Sequence, residues 1–287
     1  MNNQPRDKFM AINGLKLHYL EWGDPRKETV LLLHGFANCA ATWMPVGGAL
    51  SPYMHVVALD QRGHGDSQWA DQERYRMADF VSDVAFLLDG LSVQKIKLVG
   101  HSMGSAVAQY FAAEYPGKVD RLVIVDNGPE IGEAVLKRIL NHRTKVKTRF
   151  ATLEEAADYL SRVDPLAPRE LMLQETAYLT KKTDSGELTW KCHRMTSGSA
   201  GLPTEAELAE RWEILGLITC PTLILRGAES GHLVRDVAEE MVKTMPRAEL
   251  VEVEKAGHFI HRNNPGRFNE LLSKFLEIET VDKAAVQ

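Results

Sequence analysis

The stretch Ile96-Lys97-Leu98-Val99-Gly100-His101-Ser102-Met103-Gly104-Ser105 decides the fold. Four residues of strand character run into G-x-S-x-G, and a helix-like run from Ser105 to Glu114 follows. In that strand–turn–helix setting the pattern marks a turn so tight that the serine takes a strained backbone and stands clear of the sheet edge. Gly100 and Gly104 are required because side chains there would collide with the neighbouring helix and strand. The motif alone is a modest signal, and the order of the elements around it makes it strong.

Outward from this turn, short β-branched runs alternate with amphipathic helical patterns, which implies βα units and a mostly parallel sheet. Lys8–Ile12 and Leu15–Glu21 flank Asn13-Gly14, a hairpin signal. Further strands are expected at Thr29–Leu33, His55–Leu59, Ile96–Val99, Arg121–Val125, Thr222–Leu225 and Glu249–Val253. Helices are expected at Ala78–Leu91, Ser102–Glu114, Val234–Thr244 and Pro265–Leu276, the last with proline at its first position. The alternation breaks between about Glu130 and Leu217, where helical patterns dominate, with a turn at Thr183-Asp184-Ser185-Gly186 before a small irregular piece, Leu188–Lys191. Thr152-Leu153-Glu154-Glu155 and Thr204-Glu205-Ala206-Glu207 each fit a capping box. The expected organisation is a core of 1–129 and 218–287 with a helical cap, 130–217, inserted between two sheet strands.

At 287 residues and 44% hydrophobic the chain can bury a full core, and a net charge of -5 gives no case for nucleic acid or an anionic membrane. Cys39, Cys192 and Cys220 are an odd, scattered set, which argues for a reducing compartment rather than a disulfide framework. A polar start and the lack of a long uncharged apolar stretch predict a cytoplasmic protein.

A serine hydroxyl barely ionises at neutral pH and needs a base to take its proton as it attacks. His258, preceded by Gly257 and placed just after the last expected strand, can reach back over the carboxyl ends of the sheet. His261 lies one helical turn on, but no further clustered acid or cysteine makes H-x-x-H a metal site. A developing oxyanion needs two aimed backbone N–H groups. Met103, at a helix N-terminus, offers one, and Phe36, after His34-Gly35, offers the other. In Asp60-Gln61-Arg62-Gly63-His64-Gly65-Asp66-Ser67, Arg62 and Asp66 are expected to pin a turn that the glycines permit.

The order His34-Gly35, Asp60 to Ser67, Gly100 to Gly104, then Gly257-His258 resembles the α/β-hydrolase superfamily, and more closely its capped esterase, lactonase and C–C hydrolase branch. The resemblance implies an eight-stranded, mostly parallel sheet with helices on both faces. It implies Ser102 as nucleophile, His258 as base, and Phe36 and Met103 lining the oxyanion hole. The family usually places its acid three residues after the glycine that follows the seventh strand, and here that place holds Ser230. Glu229 is one residue early; Asp126, after the sixth strand, is the alternative that some members use, paired with a serine like Ser230. Asp126 is the first choice and Glu229 the second. The expected activity is hydrolysis of a small, largely apolar carboxylic ester, lactone or thioester, with no cofactor and no metal. A serine at 102 argues against dehalogenase and epoxide-hydrolase chemistry, which requires an aspartate there. A C–C hydrolase of vinylogous diketones, a cofactor-free haloperoxidase-like enzyme and a slow-turnover ligand sensor are the competing readings. The basic run Lys137, Arg138, His142, Arg143, Lys145, Lys147 and Arg149 reads more readily as a solvated face than as a carboxylate site. Trp190, Trp212, Met172, Met195 and Tyr178 fit an acyl pocket or helix packing equally, and Ser197, Gly198, Ser199 and Gly201 a mobile loop. Oligomeric state is not decided by composition.

Overall fold

A computed structural model describes residues 4–71, 73–135, 137, 146–193 and 204–278. Its strands are β1 (Arg6–Ile12), β2 (Leu15–Trp22), β3 (Thr29–Leu33), β4 (His55–Leu59), β5 (Ile96–His101), β6 (Val119–Val125), β7 (Thr180–Lys182), β8 (Leu188–Trp190), β9 (Thr222–Gly227) and β10 (Ala248–Val253). Eight of them form one sheet in the order β1-β2-β4-β3-β5-β6-β9-β10. β2 runs antiparallel to both its neighbours, β1 and β4; every further pairing in that order, from β4 to β10, is parallel.

The parallel strands are apolar on both sides because helices cover both faces. Along β3, Leu31 and Leu33 pack on one face, while Val30 and Leu32 pack on the other. The first face carries α2 (Met77–Gly90) and α3 (Met103–Glu114), through Phe80, Val84, Leu87, Val107 and Phe111. The second carries α1 (Met44–Leu50) and the C-terminal helix Pro265–Phe275, through Val46, Leu50, Phe268 and Leu272. Burying each such side chain contributes about 1.5–3 kcal/mol. The helix α1 has no signal in the sequence, since Pro45, Gly47 and Gly48 are poor helix formers. Burial imposes it, and Gly47 lets it close onto Trp22, whose ring would lie 2.9 Å from a Cβ there.

Between β6 and β9 lie α4 (Leu153–Val163), α5 (Arg169–Leu179), the β7–β8 hairpin and α6 (Glu205–Leu217). Thr152 and Thr204 each accept the N–H of the third residue on, at 3.2 Å. Only the second box is reciprocal: Glu207 returns to the Thr204 N–H at 2.7 Å, whereas Glu155 turns to the Ala151 N–H and to Lys147. The hairpin forms at the turn expected at Thr183–Gly186, and the irregular piece after it pairs as a short strand. Its three-residue strands are joined through a Thr183–Gly186 turn and extended by a bridge from Leu188 to Phe150. Leu215 of α6 is fully buried in the core cluster against the sheet, with Trp212 beside it.

Candidate active site

Because β3, β5, β6, β9 and β10 are parallel, their carboxyl ends gather on one edge of the sheet, where open α/β folds bind ligands. Ser102 stands at the end of β5 with φ 51° and ψ -119°, a conformation that L residues rarely adopt. Its N–H donates to Val125 O at 3.1 Å, and its carbonyl takes the N–H of Ser105 at 2.9 Å. A Cβ on Gly100 would lie 2.4 Å from Gly104 O, and one on Gly104 would lie 2.3 Å from Leu33 O. Both glycines are therefore obligatory, against the helix in one case and the neighbouring strand in the other. Gly35 plays a third such part: a Cβ there would fall 2.8 Å from His101 Nδ1 and 3.1 Å from Ser102 Cβ. Its absence brings the backbone before Phe36 against the serine turn. Among the described residues, neither the Phe36 nor the Met103 N–H donates to a protein acceptor.

Asp126, at the end of β6, is fully buried with φ 49°. Its Oδ1 accepts the Gly227 N–H at 3.1 Å. Its Oδ2 accepts the Ser230 hydroxyl and, at 2.7 Å, the Nδ1–H of His258. Asp126, Ser230 and His258 thus meet. Glu229 does not join them: it is exposed, and its carboxylate makes no hydrogen bond among the described residues. The Ser102 hydroxyl likewise has no hydrogen bond among the described residues, an arrangement common in ligand-free active sites.

Two further histidines frame His258, and neither stood out in the sequence. His232 stacks on it at 3.6 Å between centroids and 13° between planes. On the other side the His101 ring lies 4.7 Å away and its Nε2–H donates to His258 O at 2.9 Å. Burial, more than its neighbours' charge, holds the His101 imidazole well below its ordinary pKa, so it stays neutral. His101 occupies the first variable place of G-x-S-x-G, and His232 sits two residues beyond Ser230; only those positions carry a hint.

The Asp60–Ser67 turn is structural. Arg62 is 1% exposed and grips Asp83 with two hydrogen bonds, of 2.7 and 2.6 Å. Asp60, rather than Asp66, pins the loop, accepting from the Asp66 N–H at 2.8 Å and from His18 Nδ1 at 2.7 Å. Asp66 instead reaches Lys191 of the insertion at 2.7 Å. His34 and His64 lie beneath, both pushed down to about pKa 4, first of all by burial, and so both neutral.

Asp126, His232 and His258 place donor atoms within 4.8 Å of one another, as do His18, Asp60 and Asp66. The His232 and His258 rings lie in nearly parallel planes, and Asp126 Oδ2 already has two partners. His261 points away, with Nε2 3.2 Å from Thr42 Oγ1 and its ring against Trp43.

Of the other sequence candidates, Trp190 packs between Phe150 and Tyr159, Trp212 donates to Glu130, Met172 is buried and Tyr178 is exposed. Lys147 and Arg149 pair with Glu155 and Glu187 on the surface, as does Lys137 with Glu133. Arg138, His142, Arg143, Lys145, Met195, Ser197, Gly198, Ser199 and Gly201 lie outside the described residues. The three cysteines are free, and among the described residues no helix is long and apolar enough to cross a membrane.

Comparison with known proteins agrees with this architecture. The sequence is similar to a 3-hydroxybutyrate-oligomer hydrolase of Cupriavidus necator, 31% identical over 277 residues that span 90% of this chain and 93% of the relative. It is similar to epoxide hydrolase 1 of Caenorhabditis elegans, 26% identical over 94% of this chain and 70% of that one. The fold superposes on the crystal structure of E-2-(acetamidomethylene)succinate hydrolase with a TM-score of 0.86, at 24% identity over 96% of this chain and all of that one. A family profile describing the alpha/beta hydrolase fold matches residues 28–265, and the chain belongs to that family of hydrolases.

Proposed function

We propose that the protein is a serine hydrolase that cleaves a carboxylic ester, lactone or thioester of a small, largely apolar substrate through an acyl-enzyme on Ser102. The observation that carries this reading is the 2.7 Å bond from His258 Nδ1 to the buried Asp126, which leaves Nε2 without a protein partner at the edge that bears the serine. Asp126 fixes the tautomer and stabilises the imidazolium without taking the proton itself. Ser102 attacks the carbonyl as His258 accepts its proton, and the N–H groups of Phe36 and Met103 receive the oxyanion. His258 then protonates the leaving alcohol or thiol and activates water to release the acid. Residues 130–217 act as the cap over this edge, a role supported by Asp164 and Glu175, which the insertion buries against the core.

A serine at 102 supports acyl transfer over the chemistry for which epoxide hydrolases are named, and a relative named for hydrolysing hydroxybutyrate oligomers is consistent with an ester. Steady-state hydrolysis of p-nitrophenyl esters from acetate to decanoate, beside Ser102→Ala, tests the reading. The expected outcome is turnover with a chain-length optimum and a loss of about 10⁴-fold or more in the variant. An inactive wild type, or a variant with substantial residual turnover in a clean preparation, overturns it.

A further inference from the structure

His258 follows a glycine, and glycine leaves the chain its widest backbone freedom. A base must nevertheless be held to a fraction of an ångström, since a 1 Å displacement can lower a rate by about 10²-fold. Something must therefore hold Gly257. The Gly257 N–H donates to Asn263 Oδ1 at 2.9 Å, and Asn263 Nδ2 donates in turn to Asp164 Oδ1 at 2.8 Å. The two partners fix the orientation of the amide, because a flipped side chain would set donor against donor. Asp164 is the residue that ends α4, so the chain of bonds runs from the insertion to the loop that carries the candidate base.

The neighbouring residue anchors the same contact. Arg262 is 4% exposed and ion-pairs with Glu175 of α5, while its guanidinium also donates to Asn38 at 3.0 Å and to Thr42 at 3.2 Å. Removing one partner of such a buried pair leaves an uncompensated charge. Docking of the insertion is thus built into the core. Burial raises the carboxyl pKa of both Asp164 and Glu175, and two acids face a single guanidinium. Among the described residues Asp164 Oδ2 has no hydrogen-bond partner, so the Asp164 carboxylate serves the site through Oδ1 and Asn263. Leu166 adds direct contact, lying 3.6 Å from where a Gly257 Cβ would stand.

We propose that Asn263 is a positioning residue for His258, joining the Gly257 N–H to Asp164 so that seating of the insertion sets the place of the base. This rests on the reading of His258 as the base. Full-length wild type, Asn263→Ala, Asp164→Ala and Asp164→Asn are to be compared by ester kinetics, by the rate of Ser102 labelling with a fluorophosphonate, and by thermal melting. In Asn263→Ala and Asp164→Ala, kcat and the labelling rate are expected to fall about 10- to 100-fold. KM should stay within about threefold and melting within a few degrees. Asp164→Asn keeps the acceptor oxygen and should recover most of the lost rate. Wild-type kcat in Asn263→Ala, or equal losses in Asp164→Asn and Asp164→Ala, would overturn the proposal. Should Asn263→Ala fail to fold, the Asp164 pair makes the same decision. A wild type that neither turns over nor labels overturns the base assignment as well, whereas an active wild type matched by its variants overturns this inference alone.

Discussion

The molecule contains two buried aspartate–histidine pairs of nearly the same local geometry. His18 meets Asp60, and His258 meets Asp126, in each case through Nδ1 and Oδ2 at 2.7 Å. What differs is the far side of each ring. His18 Nε2 faces a second carboxylate, Asp7, at 3.2 Å, so the imidazole is fully occupied between two acids. His258 Nε2 has no protein partner among the described residues, and its ring is held by stacking rather than by a second hydrogen bond. An acid–histidine pair is thus available for proton transfer only when its outer nitrogen is left open beside a nucleophile. The first pair closes the Asp60–Ser67 turn, and the second is the one the proposed mechanism assigns to Ser102.

Equivalent substitutions should therefore separate the two pairs. Asp126→Asn is expected to lower kcat by about 10⁴-fold, because the wrong tautomer then faces the serine. Asp60→Asn is expected to destabilise the fold by about 3 kcal/mol while sparing the rate per folded molecule. Denaturant melts and active-site-normalised rates report the two effects, and matching behaviour would erase the distinction. Ser230→Ala removes one hydrogen bond to the Asp126 carboxylate and should lower the rate about tenfold. Glu229→Gln should leave it within about twofold, since Glu229 is exposed. A larger loss in Glu229→Gln than in Ser230→Ala would move the acid to the loop after β9.

The pH response gives the smallest and subtlest contrast. Burial works to lower the His18 pKa, but the hydrogen bonds of Asp60 and Asp7 and the charges of Asp60 and Asp66 outweigh it, and the folded-state pKa is raised. The stability this lends is fully present below about pH 6.5, the unfolded reference value. It is lost as pH rises through the raised folded-state value. Stability of wild type relative to His18→Gln should therefore decline with rising pH, as read from urea midpoints.

Much of this was legible in the sequence, for identifiable reasons. The eight sheet strands are short and bounded by turns, those at its centre are largely apolar, and Gly100 and Gly104 report the steric demand of the tight turn. What could not be read depends on long-range contact or on burial overriding local preference. The helix Met44–Leu50 is imposed by packing on Trp22, and β7 and β8 are too short to show alternation. His232, Asn263 and Asp164 acquire meaning only when segments far apart in the chain meet. The choice between Asp126 and Glu229 turned on which way one loop carries a side chain, a matter of backbone dihedral rather than residue type.

Ser102 and Asp126 both sit at positive φ, at 51° and 49°. Residues in sparsely populated backbone regions cost about 1–3 kcal/mol each. A glycine at 102 would release that tension and remove the proposed nucleophile at once. Selection for heat resistance alone would therefore favour a chain without it, so any thermostabilisation effort on this scaffold must screen for turnover and resistance together.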